Sequence, residues 1–223
     1  MRQRGFTGEL WAAAEPTYAA ILRHPFVTGL SDGTLDVEAF QFYVIEDAYY
    51  LVEFARAVSL VAAKAPKDNW IVILNKSSIS LLEAERLLHE SYFHDFSLSE
   101  NELAQRPVAP TTLAYTNYLL TTAHSRPFAE ALSCILPCYW IYLEVGKTLS
   151  KTGSLDPLYQ RWIDNYGAEE YEAEVNSLLH MMDEVAEGET DFCRRAMKKH
   201  FFRTSCYEWM FWDMAYRKEA WPV

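Results

Sequence analysis

The sequence predicts an all-α, single-domain helical bundle spanning residues 1–223, and three observations carry that expectation. Apolar residues recur at spacings of three and four from one end of the chain to the other. The alternating, turn-rich runs that announce strands are missing. Only eight glycines occur, several of them at apparent helix ends.

Taken in order, helices are expected over 5–23, 36–64, 67–94, 111–124, 127–150, 155–165, 168–187 and 190–219. His24-Pro25 stops the first, Asp36 caps the second, and Ala65-Pro66 separates the second from the third. Pro107 and Pro110 end a connecting loop before the fourth. Gly188 closes the seventh ahead of Thr190, which caps the last. No stretch reads as a flexible interdomain linker, an internal repeat or a low-complexity tract, so the helices are expected to close around one centre.

Half of the residues are hydrophobic, enough for a substantial core in one domain. The 31 acidic residues against 20 basic ones give a net charge of −11, which disfavours nucleic acid and anionic membrane as partners. A small molecule or another protein fits better. The first residues lack the apolar core and cleavage site of a secretory signal, and no uninterrupted apolar stretch reaches bilayer length. Cys134, Cys138, Cys193 and Cys206 form neither a CxxC pair nor a dense framework, so a reducing, cytoplasmic setting with free thiols is expected.

Three polar residues interrupt apolar helix faces. In the second helix Phe40, Tyr43, Val44, Asp47, Tyr50, Leu51 and Phe54 form one stripe with a carboxylate at its middle. A buried carboxylate needs a partner, and a helix end, an arginine or a tyrosine hydroxyl would serve as well as a ligand. In the fifth, Ala131, Ile135, Cys138, Tyr142, Val145 and Leu149 share a face. Pro137 there frees the carbonyl of Ser133, and a kink would aim the thiol. A cysteine on such a face is otherwise an inert core residue. In the last, Phe201, Ser205, Glu208, Trp212 and Ala215 set a second carboxylate among rings. Desolvation should raise its pKa toward that of a proton donor, unless a lysine or arginine pairs with it. A thiol, two carboxylates and many aromatic rings in one interior suit a flat, uncharged heteroaromatic ligand.

The run Leu136-Pro137-Cys138-Tyr139-Trp140-Ile141-Tyr142-Leu143-Glu144-Val145-Gly146 resembles the catalytic-cysteine segment of the thiaminase II (TenA-like) family. Four further segments resemble that family's signatures in the same order: Glu46 to Leu51, Pro110 to Thr116, Trp162 to Gly167 and Tyr207 to Tyr216. The resemblance implies a heme-oxygenase-like bundle, commonly a homotetramer, that hydrolyses aminopyrimidine compounds (thiamin or aminomethylpyrimidine) to hydroxymethylpyrimidine. It implies no cofactor and no metal. Position by position it implies Cys138 as nucleophile, Glu208 as acid at the ring nitrogen and Asp47 as ligand for the aminopyrimidine edge. Tyr50, Tyr115, Tyr142 and Tyr166 would line or orient the site. Cys138 places the chain in the branch that keeps this cysteine. The group that would generate its thiolate is not evident, because no histidine lies near it in sequence.

Two other functions compete. One is a metal-dependent oxygenase-like bundle: Glu85 with His89 and His180 with Glu184 are four residues apart and could chelate a metal, although an isolated pair at this spacing is more often a surface contact. The chain could also be a non-catalytic pyrimidine binder or regulator. Cys134, Cys193 and Cys206 are read as core packing. The pairs Glu169-Glu170 and Lys198-Lys199 are read as solvated faces, and the C-terminal Tyr216 to Trp221 as packing or subunit contact.

Overall fold

The computed structural model describes residues 5–99, 103 and 105–223, with the side chains of 84–87 outside the description. Among the described residues nine α-helices follow one another and no strand occurs. They are α1 (Phe6–Leu22), α2 (Pro25–Asp32), α3 (Val37–Ala62), α4 (Asp68–Asp95), α5 (Pro110–Ser125), α6 (Phe128–Leu149), α7 (Pro157–Tyr166), α8 (Glu169–Glu187) and α9 (Asp191–Arg217). The expected helices fall within about two residues of eight of these, the spread usual for helix ends.

The exception is α2. Proline lacks an N–H and has a preset φ, so it stops one helix and suits the first turn of the next. Pro25 does both, while His24 Nδ1 accepts from the backbone N–H of Phe26 at 3.2 Å as the cap. Gly33, at φ 74, ends this short helix in the left-handed conformation that glycine adopts without strain. The anticipated caps form: Asp36 accepts from the N–H of Glu38 at 3.1 Å and Thr190 from that of Cys193 at 3.2 Å.

Helix α6 is the axis of the bundle, packed by α9, α8, α5 and α7, while α3 leans on α4 and α5. By length and composition α6 is apolar enough to cross a membrane, yet 83% of that stretch is buried inside the protein, where it supplies the core. The helix runs through Pro137 without a break. Gly146 sets its distance from α7, because a Cβ at that position would lie 2.5 Å from the carbonyl carbon and oxygen of Tyr166. Buried Glu46 accepts from the N–H of Ala109 at 3.1 Å and so satisfies a backbone donor at the start of α5. Beyond α9, the Trp221 indole donates to the carbonyl of Val108 at 2.9 Å. Cys134 is core, whereas Cys193 and Cys206, expected there too, are only half-buried.

Candidate active site

The three apolar stripes meet. Asp47 on α3 is 4% exposed, Cys138 on α6 7% and Glu208 on α9 1%. Tyr50 (α3), Tyr115 (α5), Tyr142 (α6) and Tyr166 (α7) are buried with them. The electrostatics tie them together. After burial and the charge of Tyr43, it is Asp47, Glu208 and Cys138 that push the Tyr142 phenol far above its ordinary pKa. Burial, followed by Cys138, Tyr115 and Glu208, does the same to Tyr50. Asp47, Tyr50, Tyr115, Cys138, Tyr142 and Glu208 are therefore neighbours in one buried cluster.

Rings wall it in. Tyr50 packs on Tyr115 at 5.0 Å between centroids, Tyr142 on Tyr166 at 4.9 Å, and Tyr166 on Trp162 at 4.6 Å. Trp212 lies against Tyr142 at 5.1 Å and parallel to Tyr43 at 5.2 Å. Tyr43 donates to the Tyr142 hydroxyl at 3.3 Å and accepts from the Trp162 indole at 3.4 Å. These bonds fix the tilt of the Tyr142 ring. The Tyr50 hydroxyl is turned toward the Cys138 thiol but has no partner in good hydrogen-bond geometry, which leaves a buried donor in the site.

The two carboxylates have different surroundings. Glu208 accepts a short hydrogen bond from the Tyr115 hydroxyl and, among the described residues, has no lysine or arginine beside it, against one expectation from sequence. Burial pushes its pKa up to about 8, Tyr115 opposes the shift, and the charge of Asp47 adds to it. Glu208 thus carries a proton at neutral pH. Asp47 instead meets His89 of α4, whose Nε2 is 3.0 Å from Oδ2. Against a carboxylate that nitrogen is the donor.

His89 departs from the sequence reading. It is 5% exposed and not a surface contact, and the side chain of Glu85, its suggested chelating partner, lies outside the described residues. Of the second suggested pair, Glu184 bonds Lys67 and His180 is exposed. Among the described residues no group of three or more His, Cys, Asp or Glu is placed to hold a metal ion. Cys134, one turn before Cys138, has its thiol pushed up to about 12 by burial, which makes it inert.

Two surface recesses share residues with the surroundings of this cluster. One, of about 570 Å³ between α3 and α4, reaches His89 and is otherwise lined mainly by apolar residues such as Leu51, Leu81 and Phe93. The other, of about 180 Å³, is lined by Tyr139, Tyr171 and Glu174; Tyr171 meets Tyr166 edge to face at 5.7 Å.

The model of the TENA/THI-4/PQQC family matches residues 11–218. The chain belongs to that family. Among TENA/THI-4/PQQC relatives it is 38% identical, over 97% of its length and 92% of the relative's, to the aminopyrimidine aminohydrolase of Bacillus subtilis (strain 168). It is 34% identical to the protein of the same name from Halalkalibacterium halodurans, over 97% of each. The TenA homologue structure from P. horikoshii superposes with a TM-score of 0.88 at 26% identity, covering 96% of this chain and 99% of that one. A heme oxygenase-like domain from Shewanella denitrificans, at 16% identity and TM-score 0.73 over 94% and 91% of the two chains, shares the fold alone.

Proposed function

We propose that this member of the family is an aminopyrimidine aminohydrolase of thiamin salvage. It hydrolyses 4-amino-5-aminomethyl-2-methylpyrimidine, thiamin or both to 4-amino-5-hydroxymethyl-2-methylpyrimidine. One observation carries this reading: a carboxyl group that burial pushes up to about 8 and a thiol are both buried beside the same tyrosines. The relatives' names support the substrate class.

Water alone displaces the substituent on the exocyclic CH2 slowly, because neither the carbon nor the leaving nitrogen is activated. In the proposed route the Cys138 thiolate adds to the adjacent ring carbon while Glu208 gives its proton to the ring nitrogen. A C–S and an N–H bond form and aromaticity is lost. The electrons of the ring and its amino group then expel the substituent, as ammonia from its ammonium form or as neutral thiazole from thiazolium, leaving an exocyclic methylene. Water adds to that carbon and gives up one proton to the released ammonia or to solvent, the ring N–H proton returns to Glu208, and the C–S bond breaks to restore the ring and the thiolate. Asp47 accepts from the aminopyrimidine edge and fixes which carbon faces the sulfur. Tyr142 and Tyr166 flank the ring, and Tyr50 and Tyr115 orient the thiol and the acid.

The absence of disulfides among the four cysteines supports a cytoplasmic setting. Val52 of α3 with Val72, Ile79 and Leu82 of α4 are exposed apolar residues, which supports self-association as a homotetramer. The test is incubation of the purified protein with aminomethylpyrimidine and with thiamin, beside Cys138→Ser. Hydroxymethylpyrimidine from the parent and none from the variant is expected, with pyrimidine binding retained in both. Binding without product from either protein would leave a pyrimidine binder instead.

A further inference from the structure

The geometry points to His89 as a positioning residue that holds Asp47 in the orientation in which it grips the pyrimidine. The inference rests on the proposed function and extends it to a residue on a helix that contributes no other group to the cluster. Four observations support it. The Nε2···Oδ2 contact of 3.0 Å joins two side chains that are both buried. It is made through Oδ2 of Asp47, and the ligand is assigned to Oδ1. The negative charge of Asp47 is felt by Tyr142 and Glu208, so the carboxylate belongs to the same volume as the thiol and the acid. The imidazole is itself held against the Phe93 ring, with centroids 6.1 Å apart and planes 22° from parallel.

The physical reason is rotational. A carboxylate on a two-bond stem turns about χ2 with little resistance, and a hydrogen bond that must meet the amino group in the plane of a flat ring tolerates little turning. One donor fixed on a neighbouring helix stops that rotation. Helix α4 then stands behind Asp47 as its support.

The experiment compares His89→Leu, His89→Gln and His89→Asn in the full-length protein. Readouts are KM and kcat with aminomethylpyrimidine, and calorimetric titration with hydroxymethylpyrimidine, at a temperature where each variant is folded by circular dichroism. Leucine removes the donor, and a roughly 10–100-fold rise in KM and in the product's Kd is expected, with a smaller fall in kcat. Glutamine places an amide N–H near the position of Nε2 and should recover most of the loss. Asparagine, whose amide reaches only the position of Nδ1, should not. If leucine fails to fold, the glutamine and asparagine pair still decides. A purely structural histidine would lower the melting temperature while leaving KM and Kd unmoved, and that result overturns the inference alone. A parent protein that neither hydrolyses aminomethylpyrimidine nor binds the product overturns both the proposed function and this inference.

Discussion

Glu208 and Asp47 are carboxylates in one buried cluster, and their neighbours differ. A neutral phenol faces Glu208 and an imidazole N–H faces Asp47. A folded-state pKa of about 8 for Glu208, above the ordinary 4.5, means that the folded protein binds this proton more tightly than the unfolded chain does. The associated stability is complete below about pH 4.5, falls as pH rises, and is lost above about 8. In the proposed route this proton is the one spent in catalysis, so kcat/KM should decline above about pH 8. Glu208→Gln should lower turnover by about 10²–10⁴-fold and erase that alkaline limb. It should also melt at a higher temperature than the parent at pH 9, with no such gain at pH 5; thermal scans at the two pH values check the sign. The burial of Asp47, Cys138 and Glu208 was legible in the sequence because each sits on an apolar stripe, whereas the roles proposed for them rest on the family resemblance. His89 was not, because its nearest suggestive neighbour, Glu85, points to chelation, and spacing along α4 says nothing of a carboxylate 42 residues away.

At the scale of elements, glycine inside a helix is ordinarily a weakness, and replacing it with alanine gains about 1 kcal/mol on an exposed face. Gly146 reverses that sign. A methyl group there would sit 2.5 Å from the backbone of Tyr166, so α6 and α7 would have to part. Gly146→Ala should cost about 1–3 kcal/mol in urea denaturation and raise KM, as Tyr166 moves off the Tyr142 ring. Helix existence was readable throughout from periodicity and caps, as Asp36 and Thr190 show. The short α2 was not, since Pro25 signals an end and a beginning with the same residue and only His24 Nδ1 distinguishes them. The packing distance at Gly146 was equally hidden, because sequence alone does not say which backbone will press against a glycine.

At the scale of the molecule, Asp47, His89, Tyr115, Cys138, Tyr166 and Glu208 come from six helices of one chain. The exposed apolar residues of α3 and α4 lie outside that set, so the proposed self-association and the proposed chemistry are separable. Val72→Asp with Ile79→Asp should shift the protein toward monomer in light scattering coupled to size exclusion, while kcat stays within about threefold of the parent. Burial closes off the walls of the site, and six separate segments supply them. No single loop or hairpin can therefore peel away and leave half a site behind. Slow-exchanging amides flanking Cys138 and Glu208 should accordingly share one opening free energy, equal to that of global unfolding. Saturating pyrimidine should raise this common threshold for all of them together, so that losing shape and losing chemistry become a single event.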